Sequence, residues 1–162
     1  MDSTENPAAE GIPLLIFMLG GSHFGVDASK VQEIAMPGGF AKVCNAPVYV
    51  LGIKNLRGRI ATVIDLAARL GMAGSERQSG EDSRLLIVEW REEPIALLVD
   101  KVADIQNVDG QSLLPPPQDL HGIPASFIEG VQLRDGNLVA MLSLDSALVL
   151  PASSSNGEAA EA

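Results

Sequence analysis

The sequence has few of the residue types that metal centres and nucleophilic active sites require. Its 162 residues include one cysteine, Cys44, and two histidines, His23 and His121. A single cysteine cannot form an internal disulfide and supplies at most one thiolate ligand, and neither histidine has the spacing of a metal-binding pair. We therefore expect no metal site, no cofactor and a reducing compartment such as the cytoplasm.

Long apolar runs and an excess of basic residues are also missing. Apolar stretches such as residues 14–19 and 95–99 are far shorter than the roughly 20 residues that span a bilayer, and residues 1–11 lack a signal-peptide pattern. The 21 acidic residues outnumber the 11 basic ones, so the formal net charge of −10 repels phosphate backbones and anionic lipids. The composition disfavours membrane insertion and general nucleic-acid binding.

The charge is unevenly distributed along the chain. Both ends are acidic, contain no basic residue and show no apolar periodicity, which predicts disordered tails at residues 1–12 and 152–162 around a folded unit at residues 13–151. Residues 42–69 have the opposite balance, with five basic side chains against Asp65 alone and a net charge of +4. The basic residues of this stretch are Lys42, Lys54, Arg57, Arg59 and Arg69.

Short β segments dominate the predicted secondary structure. Gly20 and Gly21, and later Asp135 and Gly136, are residue types typical of two-residue hairpin turns. Frequent proline and glycine between the segments leave room only for short helices. The predicted strands cover residues 14–19, 23–26, 31–36, 52–56, 60–64, 85–90, 95–99, 102–108, 128–133 and 138–142, and the predicted helices cover residues 47–50, 66–70 and 144–148.

The two halves of the chain resemble each other. Residues 24–34 and 97–105 both contain a strand that ends in Val-Asp and leads into a second strand. Residues 58–70 correspond to residues 136–148 at a constant offset of 78 residues. Because two halves of about 70 residues are near the lower limit for independent cores, we expect two small antiparallel β-barrels packed together with a groove at their junction. Chance similarity among apolar residues is the alternative explanation.

No cluster of residues has the spacing of an enzyme motif. Residues 20–25 match the outer glycines of a phosphate-binding loop, but Val-Asp follows where Lys and Ser or Thr are required. Ser22 and His23 are adjacent and therefore point to opposite faces of a strand. A hydrolase that uses Cys44 with a histidine is the remaining enzyme hypothesis, but a thiol in this context is more often inert and half-buried than nucleophilic.

A more specific pattern begins at residues 52–58, which read Gly-Ile-Lys-Asn-Leu-Arg-Gly after the predicted helix at Pro47. Val-Gln-Glu-Ile precedes it at residues 31–34, and Val-Ile-Asp-Leu follows at residues 63–66. This ordered series, which spans about residues 14–148, resembles the CheW family of bacterial chemotaxis coupling proteins. The series continues in the second half at residues 85–88, 96–102 and 128–131.

The resemblance implies two five-stranded SH3-like barrels and a non-enzymatic adaptor. Members of the family join the cytoplasmic tip of a chemoreceptor, a methyl-accepting chemotaxis protein, to the regulatory domain of a CheA-type histidine kinase. We therefore expect these two partners, a monomer in isolation, and a cytoplasmic location in receptor arrays at the inner membrane. No motif marks the kinase contacts. The family's receptor-contact positions fall on Val31, Glu33, Gly52 and Arg57, with Asn55 and Leu56 inside the same motif.

Each of these positions also has a structural explanation. Arg57 precedes Gly58 at a turn, where its planar guanidinium either contacts a receptor carboxylate or is simply solvated. Val31 and Glu33 share one face of a strand, either as contact residues or as a core residue and a rim charge. Gly52 permits close approach of a helix or an unusual backbone angle, and structural need alone also explains it.

Two other functions remain open from the sequence. Related adaptors serve twitching and surface-sensing pathways, and the motif residues do not separate these outputs. Thr62, where many relatives have proline, and Arg59, a second positive charge beside Arg57, depart from the family pattern. A nucleic-acid-binding barrel that uses residues 42–69 is the second alternative, although Tyr49 is the single aromatic residue there and single-strand binders stack bases on several rings.

Overall fold

The computed structural model describes residues 11–72, 80–109, 112–120 and 122–149, which form a mainly β structure with two short α-helices. All ten predicted strands coincide with observed strands. The strands are β1 Gly11–Leu19, β2 Ser22–Asp27, β3 Val31–Ala35, β4 Val50–Leu56, β5 Arg59–Asp65, β6 Arg84–Trp90, β7 Glu93–Val99, β8 Lys101–Asp109, β9 Asp119–Leu120, β10 Ile123–Pro124, β11 Ile128–Arg134 and β12 Asn137–Leu142. The helices are α1 Leu66–Leu70 and α2 Leu144–Leu148, and 3-10 turns lie at Ala28–Lys30 and Ala125–Phe127.

Ten of these strands form two five-stranded sheets, and β9 pairs with β10 separately. Sheet 1 has the order β8-β1-β2-β12-β11, and sheet 2 has the order β3-β6-β7-β5-β4. Neighbouring strands are antiparallel, as predicted, except that β2 with β12 and β5 with β7 are parallel. The parallel pairs occur because each joins two separate hairpins instead of strands linked by a tight turn.

The two halves of the sequence exchange hairpins. Sheet 1 combines the hairpin β1–β2 with β8, β11 and β12, whereas sheet 2 combines the hairpin β6–β7 with β3, β4 and β5. The two strand orders are the same when each strand is exchanged with its counterpart in the other half of the chain. The corresponding strands are β1 and β6, β2 and β7, β3 and β8, β4 and β11, and β5 and β12. The predicted repeat is therefore present in the structure, and neither half contains a complete sheet.

Side-chain alternation along the strands separates the core into three clusters. In β1, Leu15 and Phe17 face the space between the sheets, whereas Leu14 and Ile16 face the inside of sheet 1. The large cluster between the sheets also holds the buried residues of both helices. Because β1 is buried on both faces, its sequence is a continuous apolar run rather than an alternating one. The cluster inside sheet 2 contains Val63, Leu85, Ile87, Ala96 and Leu98.

Each sheet curls until its two edges meet. In sheet 2, Ala41 lies beyond edge strand β3 and bonds with Ile53 of the opposite edge strand β4, with N···O distances of 2.9 and 2.7 Å. In sheet 1, Leu114 lies beyond β8 and bonds with Val131 of β11 at 2.8 and 2.9 Å. We call these contacts the seams of sheet 2 and sheet 1. They give each sheet the curl of a small barrel.

One predicted helix is wrong. Residues 47–50 form a single turn in which the Val50 N–H donates to the Pro47 carbonyl at 2.9 Å. The next backbone groups are already committed to the sheet, because the Tyr49 carbonyl accepts from the Asp65 N–H at 2.8 Å and β4 begins at Val50. Pairing with β5 therefore takes the groups that a helix would need. The predicted helices at residues 66–70 and 144–148 are confirmed as α1 and α2.

The predicted tails fall largely outside the described residues. Of residues 1–12, Gly11 and Ile12 are described, and they pair with Asp109 and Val108 in sheet 1 rather than belonging to a disordered tail. The predicted tail at residues 152–162 lies wholly outside the described part of the chain, as does His121. Within the described ranges, no helix is long and apolar enough to cross a membrane.

Candidate functional site

The motif at residues 52–58 forms the end of β4 and the turn into β5. Arg57 and Gly58 have φ values of +53° and +89°, the two positive values of a type I′ hairpin turn. The Asn55 side-chain oxygen accepts a hydrogen bond from the Gly58 N–H at 2.8 Å. Asn55 therefore holds the turn that places Arg57 at the surface.

Arg57 forms a two-pronged ion pair with Glu33. Its Nη1 lies 2.9 Å from Glu33 Oε1, and its Nη2 lies 3.1 Å from Glu33 Oε2, which is the fork geometry of an arginine and a carboxylate. Glu33 is on β3 and Arg57 is at the end of β4, so the pair joins the same two edges as the seam of sheet 2. The Arg57 side chain remains 81% exposed and that of Glu33 33% exposed, which leaves the guanidinium available to a partner.

Gly52 is buried beneath the seam of sheet 2. A Cβ atom at this position would overlap the Ala41 carbonyl oxygen and lie 2.8 Å from the Phe40 ring. Gly130 occupies the corresponding place in sheet 1, where a Cβ would lie 3.1 Å from the Leu114 carbonyl oxygen. Both glycines sit at a register shift in their strands. Close approach of the chain's own backbone therefore accounts for Gly52 without a partner.

A groove of about 220 Å³ runs along the junction of the two sheets. Ile34 of β3 and Ile105 of β8 are 42% and 58% exposed beside it. The sequence predicted a groove at the junction but did not single out these two isoleucines. They follow Val31 and Val102 at the same spacing in the internal repeat, and that correspondence could have identified them. The groove is lined by Leu15, Ala28, Val31, Gln32, Glu33, Ile34 and Ile105.

The six predicted contact residues divide into two groups. Val31 and Glu33 line the groove, and Arg57 is held at its edge through Glu33. Leu56 is half-buried against the cluster inside sheet 2. Gly52 lies under the seam and Asn55 is bonded within the turn. The structure thus brings three of the six to one surface, while the other three shape the hairpin that carries Arg57.

The second arginine of the motif has a different environment. Arg59 Nη2 donates to the Glu92 carbonyl at 2.7 Å and lies 3.3 Å from Glu89 Oε2. Gln32 Nε2 donates to the other Glu89 oxygen at 2.7 Å. The hydrogen bond from Gln32, followed by the one from Arg59, lowers the pKa of the Glu89 carboxyl. Arg59 is therefore bound to the hairpin β6–β7 and is not presented together with Arg57.

Arg69 of α1, in the first half of the chain, contacts the end of α2 in the second half. Its guanidinium carbon lies 5.3 Å from the centre of the Tyr49 ring and 5.1 Å from that of Phe127. Its Nε and Nη2 donate to the carbonyls of Ala147 and Val149 at 2.8 and 2.9 Å, at the end of α2. Arg69, like Arg57 and Arg59, has internal partners. This distribution weakens the alternative of a nucleic-acid surface on residues 42–69.

The structure places the described residues of the enzyme alternative, Cys44 and His23, with different sheets. Cys44 is exposed rather than half-buried, and it lies in the connection between β3 and β4 of sheet 2. His23 is on β2 of sheet 1. Within the described ranges, no group of three or more His, Cys, Asp or Glu side chains is placed to hold a metal ion.

The fold is a pair of packed five-stranded sheets with a groove at their junction, and comparison with known proteins gives its family. The family model described as "CheW-like domain" matches residues 13–151. The chemotaxis protein CheW of Rhizobium meliloti is 32% identical over 136 residues, which cover 84% of this chain and 86% of the relative. Protein PilI of Pseudomonas aeruginosa is 31% identical over 121 residues, which cover 74% and 66%.

A solved structure agrees with this assignment. The crystal structure of the scaffolding protein TtCheW from Thermoanaerobacter tengcongensis matches with a TM-score of 0.77 and 31% identity, covering 86% of this chain and 89% of that one. The chain therefore belongs to the CheW-like domain family. The resemblance predicted from the ordered motifs is confirmed, and so is the fold of two packed five-stranded units.

Proposed function

We propose that this protein is a non-enzymatic adaptor that couples the cytoplasmic tip of a chemoreceptor to the regulatory domain of a CheA-type histidine kinase. Membership of the CheW-like family supports this role, and so does the scaffolding protein among its structural relatives. The observation that carries the receptor part is the junction groove, because two family receptor-contact positions, Val31 and Glu33, line it. The proposed location is the cytoplasm, at receptor arrays.

The groove has the chemistry of a helix-binding surface. Val31, Ile34 and Ile105 supply apolar contacts from both sheets, and the Glu33–Arg57 pair supplies polar groups at the edge. An amphipathic helix binds such a groove through apolar side chains on one face. Since Glu33 already fixes the Arg57 side chain, less rotamer entropy is lost when a receptor group bonds to the guanidinium. We therefore expect a receptor helix with apolar anchors and one acidic or carbonyl acceptor.

The test measures binding of the full chain to two partners, a receptor signalling-tip fragment and a kinase regulatory domain. Arg57→Glu should weaken receptor binding by about 2 kcal/mol or more, since arginine is one of the residue types enriched among interface hot spots, while kinase binding and folding change little. Arg91→Glu is the matched control, because Arg91 also occupies a hairpin turn with positive φ, at +52°. Equal receptor affinities of the two variants would contradict the role of Arg57.

A second pair of variants tests the groove itself. Ile105→Asp introduces a charge into the groove and should reduce receptor affinity at least tenfold. Leu133→Asp makes the same change at a side chain that is 66% exposed and does not line the groove, so it should leave receptor affinity unchanged. The adaptor role additionally requires that the receptor-saturated protein still binds the kinase domain. Mutually exclusive binding of the two partners would reject the coupling function.

The pathway has a second candidate. The relative named PilI is 31% identical to this chain, close to the 32% of the CheW relative. The relatives of this chain therefore include a protein that is not named CheW, and the motif residues do not separate flagellar from other outputs. A receptor of a non-flagellar chemosensory pathway, such as twitching or surface sensing, is the second candidate. Deletion of the gene distinguishes the two, because a flagellar adaptor is required for directed swimming and the alternative is required for movement on surfaces.

A further inference from the structure

The junction groove has two sides that correspond to each other in the internal repeat. Its isoleucines, Ile34 of β3 and Ile105 of β8, both line the groove and occupy the same position in corresponding edge strands. Because each half of the chain contributes a hairpin to the other, the halves are related by an approximate twofold rotation. The axis of that rotation passes between the two isoleucines and therefore through the groove.

This symmetry leaves the direction of a bound helix undetermined by the two isoleucines. A twofold rotation turns a helix that lies across the axis end for end and exchanges Ile34 with Ile105. Apolar side chains on one face of the helix therefore meet an isoleucine on each side in both directions. The direction has to be determined by groups that differ between the two halves.

The two hairpin turns beside the groove differ in charge. On β3, Glu33 precedes the groove isoleucine and bonds with Arg57 in the turn between β4 and β5. On β8, Asp104 precedes the groove isoleucine and lines a small pocket together with Asp135 of the turn between β11 and β12. Arg57 and Asp135 correspond at the repeat offset of 78 residues and have φ values of +53° and +52°. The same turn position thus holds a cation on one side and a carboxylate on the other.

The neighbouring charges preserve this difference. The sheet 2 side has one charge of each sign, and its guanidinium is on a side chain that is 81% exposed. The sheet 1 side has the exposed carboxylates Asp104 and Asp135 against the half-buried Arg134, whose Nη1 donates to Gln132 at 3.3 Å. An acidic group of a partner is therefore favoured beside Arg57, and a basic group is favoured beside Asp135.

We propose that Arg57 and Asp135 determine the direction of the partner helix in the junction groove. The helix places an acidic side chain at the Arg57 end and a basic side chain at the Asp135 end. In the opposite direction each charge of the helix meets a like charge, which disfavours that direction. This inference rests on the proposed binding of a receptor helix, and it assigns to Asp135 a role in specificity.

The first experiment determines the direction with two helical peptides of about four turns. Both have leucines on one face in an order that reads the same from either end. One has glutamate in the first turn and lysine in the last, and the other has these two exchanged. A nitroxide next to the glutamate should broaden the backbone amide signal of Gly58, beside Arg57, with both peptides bound to the ¹⁵N-labelled full chain.

Three results of this experiment would overturn the proposal. If the peptide backbone determines the direction, the nitroxide broadens Gly58 with one peptide and Gly136, beside Asp135, with the other. Equal broadening of both glycines would show that the groove does not select a direction. Absence of saturable binding by either peptide would show that the groove does not accept such a helix.

A double variant reverses the expected direction. Arg57→Asp combined with Asp135→Arg places in each turn a side chain that the other turn already holds at the same φ, so the unfolding midpoint should remain close to that of the wild type. The nitroxide next to the glutamate should then broaden Gly136 with both peptides. An unchanged pattern in the folded double variant would reject the role of the two charges.

The last experiment uses the receptor signalling-tip fragment. Asp135→Arg should weaken its binding to the full chain at least fivefold. Glu92→Arg is the matched control, because Glu92 is an exposed acid in another hairpin turn, with φ of +69°, and does not line the groove. Equal affinities of the two variants would contradict the role of Asp135. A wild-type protein that does not bind the fragment would instead contradict the proposed function, and the peptide experiments alone then decide the inference.

Discussion

At the scale of single residues, the family motif combines two kinds of requirement. Arg57 is exposed and bonded in a way that leaves it open to a partner, whereas Gly52 is required by the path of the chain itself. Both stand in the same seven-residue segment, so the sequence alone did not separate them. The structure distinguishes the two roles, because the carbonyl of Ala41, a residue outside the motif, lies against Gly52 and leaves no room for a side chain.

Gly52→Ala is expected to destabilise the protein by about 1–3 kcal/mol, because the added methyl group overpacks a site against backbone that cannot move without breaking the seam. Gly39→Ala is the control, since a Cβ at Gly39 has no atom within 4 Å. The free energy of unfolding in urea distinguishes them. If both variants unfold at the same urea concentration, Gly52 does not have the structural role assigned to it.

Glu89 gives a prediction of pH dependence. Its pKa is lowered in the folded protein, chiefly by the hydrogen bond from Gln32, so the charged form is favoured by folding. The resulting stability is present above the ordinary carboxyl pKa of 4.5 and is lost as the pH falls through the lower folded value. In Gln32→Ala, the Glu89 pKa should move back toward its ordinary value, as measured by ¹³C titration of the carboxyl group. No movement of the titration would contradict this assignment.

At the scale of elements, tight turns made the strands predictable from sequence. Gly20 and Gly21 have φ values of +59° and +84°, and Asp135 and Gly136 have +52° and +82°, so the residue types that predicted hairpins occur where positive φ is needed. The predicted helix at residues 47–50 failed for the opposite reason. Its conformation depends on pairing with β5, a tertiary contact that local residue types do not encode.

Arg69 connects α1, α2 and the segments before β4 and β11, and its loss should therefore affect the whole fold. Arg69→Met retains the aliphatic stem but removes two hydrogen bonds to carbonyls and the charge between Tyr49 and Phe127. We expect a loss of about 2–3 kcal/mol of unfolding free energy. Arg91→Met, which removes one contact with Trp90, should cost well under half of that. Equal unfolding midpoints would contradict the role of Arg69.

At the scale of the whole molecule, the sequence predicted two similar units but not how they share strands. Apolar periodicity defines which residues are buried, and the repeat defines which segments correspond. Neither states whether a hairpin pairs with strands of its own half or of the other half, because both choices bury the same faces. The sequence predicted a groove at the junction but not its lining. Ile34 and Ile105 belong to different halves of the chain, and they line the same groove because the halves exchange hairpins.

The exchange predicts that the halves depend on each other. A fragment of residues 1–78 holds one hairpin of sheet 1 and three strands of sheet 2, so neither sheet is complete, and residues 79–162 are in the same position. Each fragment alone should lack the circular dichroism of a folded β protein, and an equimolar mixture should regain it. Independent folding of either fragment would contradict the exchanged topology.

The matching strand orders also describe the chain as two copies of one unit, each of which contributes a hairpin to the sheet of the other. Two separate molecules of that unit would form the same pairs as a symmetric homodimer, with identical binding ends. When both copies are part of one chain, a substitution in one copy changes one binding end and leaves the other unchanged. The two ends can therefore differ in sequence. The two ends differ in this way, because Glu33 and Arg57 form an ion pair in sheet 2, whereas the corresponding residues of the repeat, Asp104 and Asp135, are both acids. A single small chain can therefore offer different surfaces to different molecules.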